Sequence, residues 1–296
     1  MQSLSKYPNI AVIISSFFWG TYWIPIRKIN EGGNESIWPI ILAFIILSIL
    51  LIKTLVEVFK RIFKKKDIYF LLGNFFVALA IALYSESFLR GEIAEVILLF
   101  YLCPVWGTIL ARILLKQKFN FQRYLSLILG IVGLEIILGI DKGYFLPSSI
   151  VEWMALLAGF AWALGITFFH LSKPSKVIYK TALTGLFLPF IFLIISFIPE
   201  GRELSFSNEI FSSNSIIIWI ILFSILWLLP SMYFTYMGAE MLDPGRISIL
   251  LMFEVIIGIT SAALLTEEII GMRQFIGGII ILSAGTIDLI KIKSNY

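Results

Sequence analysis

Stretches of about 20 predominantly apolar residues recur along the whole 296-residue chain, separated by short segments that carry the charge. This recurrence constrains the fold more than any motif does. About 20 residues at roughly 1.5 Å rise cross the ~30 Å hydrocarbon core of a bilayer. Backbone N–H and C=O groups must be satisfied inside lipid, so such runs are helices. Composition agrees, with 59% hydrophobic and 14% charged residues, against roughly 25% charged in a soluble domain. The spacing predicts helical spans at 8–26, 36–56, 68–88, 94–115, 122–140, 151–172, 179–198, 215–238, 246–266 and 272–290. Ten spans leave short loops and no room for a soluble domain. The first run, Tyr7 to Ile26, is long and aromatic and reads as a retained span rather than a signal peptide. The expected fold class is therefore an all-α integral membrane protein with ten transmembrane helices.

The formal charge is +4. Its placement in short loops fits the positive-inside rule and not a nucleic-acid partner. Of the 23 Lys and Arg, 17 fall on one side of the predicted spans and 6 (Arg27, Lys28, Arg90, Lys142, Arg202 and Arg273) on the other. The richer side includes the Lys60–Lys66 segment, Arg112 to Arg123, and Lys173 to Lys180. The bias places both termini in the cytoplasm of a multi-pass inner-membrane protein. An even number of spans requires the termini to share a side, so count and charge agree.

The chain also reads as two halves, 1–142 and 143–296. Ser16 to Thr21, centred on Trp19, parallels Gly159 to Leu164, centred on Trp162. At a constant offset of 150, Val105 falls on Val255, Leu114 and Leu115 on Leu264 and Leu265, and Arg123 on Arg273. Five spans per half is odd, so the second half enters the membrane inverted. Inverted repeats place a solute site near midplane between the halves.

Glu254 is the sharpest site candidate. Eight residues beyond Arg246 put it about 12 Å deep, where a bare carboxylate is costly. It must face a wet cavity, carry a proton or pair with a cation. In repeat register it falls opposite Pro104, whose missing N–H kinks span 4 and frees a carbonyl. Glu86, near the outer end of span 3, reads as lining an outer vestibule, and Glu135 in span 5 as structural. Trp19 and Trp162 lie mid-span, where an interfacial belt does not explain them. With Tyr84, Tyr101 and Trp106 they read as cavity walls suited to a planar or cationic solute. Trp38, Trp153, Trp219 and Tyr236 read as belt residues. His170 reads as an incidental interfacial residue. Ala155, Gly159 and Ala163 form a close-packing face.

Several of these residues carry a resemblance. The Trp19-Gly20 pair with Trp162, Glu95-Val96 followed by Phe100 to Trp106, and Ser261 to Glu267 before Gly277-Gly278 resemble the drug/metabolite transporter superfamily. The similarity is to its EamA-type ten-helix members, and Phe100 to Trp106 resembles the aromatic amino-acid exporters. The resemblance implies a secondary transporter moving a small metabolite by alternating access with proton coupling. The solute would be an amino acid or a related amine or aromatic compound. It further implies no cofactor, span 5 at the periphery or a homodimer face, and the solute, protons and lipid bilayer as partners. A nucleoside or drug-like cation, or a channel or scaffold without coupled transport, is the alternative. Enzyme classes fit poorly. A serine nucleophile has no mid-membrane histidine base, no Gly-x-Ser-x-Gly elbow or Walker loop occurs, and one His with one Cys makes no metal cluster without carboxylates.

Overall fold

The computed structural model describes residues 7–33, 36–116, 121–138, 147–195, 197, 214–242 and 250–289. These form helices, with no strand among them. In chain order they are α1 Pro8–Gly20, α2 Trp23–Gly32, α3 Trp38–Leu50, α4 Ile52–Lys65, α5 Ile68–Arg90, α6 Ile93–Phe100 and α7 Cys103–Leu114. There follow α8 Phe121–Leu138, α9 Ile150–Leu171, α10 Val177–Ile195, α11 Asn214–Leu222, a π-helical turn Phe223–Leu228, α12 Leu229–Met241, α13 Phe253–Leu265 and α14 Met272–Leu289. Among the described residues six helical segments are long and apolar enough to cross a membrane, or seven if the bent α3–α4 pair is one span. Shorter apolar helices cover Tyr124–Leu138, Phe253–Leu265 and Met272–Ala284. Large apolar side chains such as Ile128, Phe190, Ile194 and Ile256 point outward and are exposed. An apolar surface of this extent calls for lipid rather than water. The chain is thus a multi-pass all-α membrane protein.

Local chemistry explains most helix ends. Pro8, Pro39 and Pro104 sit in first turns, where a missing N–H costs nothing, and Pro230 follows the π-helical turn inside the continuous Asn214–Met241 segment. Asp67 caps α5 by accepting from the Phe70 N–H at 3.2 Å. Ser149 accepts from the Glu152 N–H at 3.1 Å while the Glu152 carboxylate accepts from the Ser148 N–H, in the manner of a capping box.

Four of the expected spans are broken, the ninth at Met252. The first breaks at Thr21–Tyr22 and the fourth at Tyr101–Leu102. The second turns by 73° at Leu51. The helix beyond that bend, α4, is amphipathic, with Leu55 and Val58 buried and Lys53, Lys60 and Lys64 exposed. The expected second span at 36–56 thus holds α3 and the first turn of α4 with a bend between them, and the charged face of α4 is of the kind that suits an interface. Its Arg61 is buried. The guanidinium donates to the carbonyls of Lys173 (2.8 Å) and Pro174 (3.3 Å), pairs with Asp67 at 3.4 Å and lies 4.1 Å from the Phe70 ring centre. Asp67 also accepts from the Lys173 N–H at 2.8 Å. This cluster ties the α4–α5 corner to the chain between α9 and α10. Removing one partner of a buried pair typically costs about 3–5 kcal/mol. Asp67→Ala is accordingly expected to lower the unfolding temperature in detergent, whereas the exposed Lys64→Ala leaves it unchanged.

Packing follows a regular plan. α5 lies along α9, and α1 along α12; α6 and α7 pack on α9, and α13 packs on α1. α3 and α4 pack on α10, and α8 packs on α14. α8 and α14 cross closely, since a Cβ on Gly133 would meet the Gly277 carbonyl at 3.0 Å and one on Gly277 the Gly133 carbonyl at 2.9 Å. The boundary expected at 142–143 lies outside the described residues. So do Lys6, Lys118, Lys142, Arg202, Arg246, Lys291 and Lys293 of the charge count.

Candidate functional site

A central cavity of about 720 Å³ lies between α1, α5, α6–α7, α9 and the start of α13. Two half-helices point into it. α7 begins at Cys103, just past the break at Tyr101–Leu102, and α13 begins at Phe253, just past Met252. Pro104 sits in the first turn of α7 and Glu254 in the first turn of α13. A helix N-terminus favours negative charge, so the fold supplies part of the compensation for a carboxylate at Glu254.

Glu254 is only 5% exposed. Tyr84 Oη donates to its Oε1 at 3.2 Å, and Tyr101 Oη lies 2.9 Å from its Oε2. The Tyr101 hydroxyl is also 2.6 Å from the Leu251 carbonyl. The carboxylate therefore joins α5, the α6–α7 break and α13 in one hydrogen-bonded cluster. An arc of rings continues from it: Tyr84 stacks on Phe100 at 4.5 Å, Phe100 meets Trp162 at 6.1 Å, and Trp162 meets Trp19 at 6.0 Å. The Trp19 indole N–H is turned to Thr235 Oγ1 at 3.0 Å.

The cavity runs from this cluster toward the C-terminal ends of α7 and α9, where Ala111, Leu115 and the exposed His170 line it. On the other side of Glu254 the molecule is closed. Trp23 Nε1 donates to Ser261 Oγ at 3.0 Å, and Tyr22 Oη is 2.9 Å from Ser85 Oγ. Beyond them Arg27 donates to the carbonyls of Phe88 (2.9 Å) and Gly91 (2.6 Å) and pairs with Glu268 at 3.2 Å. Glu268 in turn accepts from the Ile93 N–H at 2.8 Å, capping α6 from a loop 175 residues away.

Of the eight candidate residues, Glu254, Trp19, Trp162, Tyr101, Pro104 and Tyr84 line the cavity. Trp106 and Glu86 do not. Each stands two residues, about 200° around a helix, from a lining residue, Pro104 and Tyr84 respectively. Trp106 instead meets Phe160 edge-on at 5.7 Å. Glu86 is buried and pairs with Arg90 one turn on at 2.6 Å, so it forms no open vestibule. Tyr236 is not a belt residue. It is buried, 3.0 Å from the Thr184 hydroxyl.

Sequence reasoning missed Phe100, Thr108, Thr167 and His170 on the cavity wall. A signal for the last existed, since Trp162, Ile166 and His170 repeat every four residues along one face of α9. Gly159 of the expected close-packing face does approach another backbone, that of Phe100. Ala163 of the same face lines the cavity. Among the described residues no group of three His, Cys, Asp or Glu side chains is placed to hold a metal.

A multi-pass helical protein with a central half-open cavity and broken helices at its wall is the class these observations define. Residues 6–139 match the EamA-like transporter family. The match covers less than half of the chain, and over that part the chain is similar to a family described as transporters. A crystal structure described only as that of a protein superposes with a TM-score of 0.57 at 12% identity, covering 96% of each chain, and shows similarity of fold alone. No curated protein matches the chain.

Proposed function

We propose that the chain is a secondary transporter of a small metabolite, an amino acid or a related amine or aromatic solute. It would work by alternating access between two inverted five-helix repeats, with Glu254 as the proton-coupling group. The observation that carries this reading is the buried Glu254 carboxylate at the head of a half-helix, facing a cavity that opens to one side only. Discontinuous helices at the interface of two repeats are how transporters expose backbone charge to a midplane site.

Three features support the repeat. The breaks at Leu102 and Met252 are 150 residues apart, the offset of the sequence matches, and Tyr101 bonds Leu251 across the same offset. Trp19 meets its counterpart Trp162. The packing plan also survives exchange of the halves, with α5 on α9 answered by α12 on α1, and α6–α7 on α9 answered by α13 on α1. The positive-inside bias puts the open end, at His170 and Leu115, on the cytoplasmic side. The site residues in this reading are Glu254, Trp19, Trp162, Tyr84, Tyr101 and Pro104. The test is counterflow of labelled solutes in proteoliposomes, with and without a pH gradient. Saturable exchange is expected; conduction without exchange favours the channel alternative.

Alternating access assigns Arg27 and Glu268 the role of an outer latch, made in this state and broken in the opposite one. The pair is partly buried, with side-chain exposures of 25% and 15%, so its loss is worth about 1 kcal/mol, several-fold in population. Arg27→Ala is expected to speed labelling of Ser261→Cys by an impermeant thiol reagent from outside, on a Cys103→Ala background. An unchanged rate removes the latch.

A further inference from the structure

We infer that α4 is a docking surface for anionic phospholipid, with its lysines at the headgroups and a separate apolar stripe in the acyl chains. The inference needs the multi-pass membrane fold and stands independently of the transporter reading. α3 carries no charged residue and ends at the 73° bend, so α4 starts where the chain reaches the bilayer surface. It then carries Lys53, Lys60, Arg61, Lys64 and Lys65. The positive-inside bias makes this the cytoplasmic surface.

Helical phase divides α4 into faces. Leu55 and Val58 are buried, and Val58 packs with Phe70 of α5 and Leu183 of α10. Arg61 is covered by the chain between α9 and α10, whose Lys173 and Pro174 carbonyls it bonds. The rest of the circumference points outward. Ile52, Val56, Phe59 and Phe63 recur at four, three and four residues in one stripe, and all are exposed. Lys53, Lys60 and Lys64 lie about a quarter turn further round, away from Leu55 and Val58, and are exposed too. Among the described residues none of these three pairs with an acid. The one acid of the helix, Glu57, accepts from the Tyr179 hydroxyl at 2.7 Å.

The two outward stripes select the occupant. A free phosphate or a soluble polyanion would use the lysines and leave four large apolar side chains in water. A neutral lipid would use the apolar stripe and leave the ammonium groups without counter-charge. An anionic phospholipid satisfies both, because lysine stems can lie along the acyl boundary while their ammonium groups reach the phosphates. The Arg61 cluster already fixes the helix against α5 and the α9–α10 connection, so docking does not have to order it.

The test titrates purified full-length protein in non-ionic detergent with phosphatidylglycerol, phosphatidylcholine or glycerol phosphate and follows the unfolding temperature. Phosphatidylglycerol is expected to reach half of its stabilising effect at a concentration at least about fivefold below that of phosphatidylcholine, since a single basic side chain near an anionic surface contributes about that factor. Glycerol phosphate at the same concentrations should give no shift. With Lys53→Gln, Lys60→Gln and Lys64→Gln combined, the preference for phosphatidylglycerol should disappear. A preference that persists in that variant, no preference in the unmodified protein, or an equal shift with glycerol phosphate overturns the inference. A second readout does not need the combined variant. Nitroxide labels are attached at Phe63→Cys or Lys60→Cys, on a Cys103→Ala background, in phosphatidylglycerol nanodiscs. The label at 63 should be relaxed more by oxygen than by a water-soluble nickel chelate, and the label at 60 the reverse. Water exposure at 63 overturns the inference by itself.

Discussion

Glu254→Gln is expected to abolish proton-driven accumulation. A pH gradient of one unit supports up to about tenfold accumulation per coupled proton, and the variant should fall to no accumulation at all. The reason is location. The carboxylate is 5% exposed, set in a membrane-spanning protein where ionised acids are rare and mark ion or solute pathways. Gln keeps the size; its amide oxygen can accept from one tyrosine while its N–H donates to the hydroxyl oxygen of the other, so the cluster that joins α5, the α6–α7 break and α13 remains held. What is lost is the group that exchanges a proton. Exchange of solute down its own gradient separates two roles: it survives if Glu254 carries the proton alone and fails if the carboxylate also holds the solute cation. Unaltered accumulation and pH dependence in a monodisperse variant would leave a structural acid and sink both roles.

Two glycines on the cavity helices are expected to give opposite results. A Cβ on Gly159 would strike the carbonyl, carbon and Cα of Phe100, all of them backbone. That carbonyl is four residues before Pro104, which has no N–H to offer it. α9 comes in against it there, and no side-chain rotation can relieve the overlap. Overpacking of this kind costs typically 1–3 kcal/mol, so Gly159→Ala should lower the unfolding temperature in detergent and Gly159→Val should lower it further. Gly107 lies on the cavity wall with nothing within 4 Å of where its Cβ would be. Gly107→Leu should therefore keep or raise stability, since a helical glycine is a poor helix former, and should block transport by filling the cavity. If Gly159→Ala is as stable as wild type, the α6–α9 contact is looser than the structure shows. If Gly107→Leu transports normally, solute does not pass through this cavity.

The amino-acid sequence determined the environment and the helices. Apolar runs of membrane-crossing length leave one economical solution for the backbone, and each of the ten predicted segments holds a helix in the structure. Proline and capping residues placed many of their ends. Mid-membrane position alone made Glu254, Trp19 and Trp162 stand out, because an acid or an indole at that depth has no interfacial explanation. The tertiary structure decided what a one-dimensional pattern does not encode. Met252 breaks the ninth segment without a proline or glycine to announce it, in the position that answers the Tyr101–Leu102 break. Helical phase turned Trp106 toward Phe160 and Glu86 toward Arg90, although each is two residues from a cavity residue. His170, at a helix end and unremarkable by position, reached the mouth because it shares a face of α9 with Trp162. Arg27, Glu268 and the Ile93 N–H are separated by up to 241 residues and meet only after folding. Depth and periodicity are properties of a segment and can be read from it. Which groups converge on a cavity depends on helix rotation and crossing, and these are set by contacts such as Gly159 on Phe100 and Gly133 on Gly277, between residues remote in the chain.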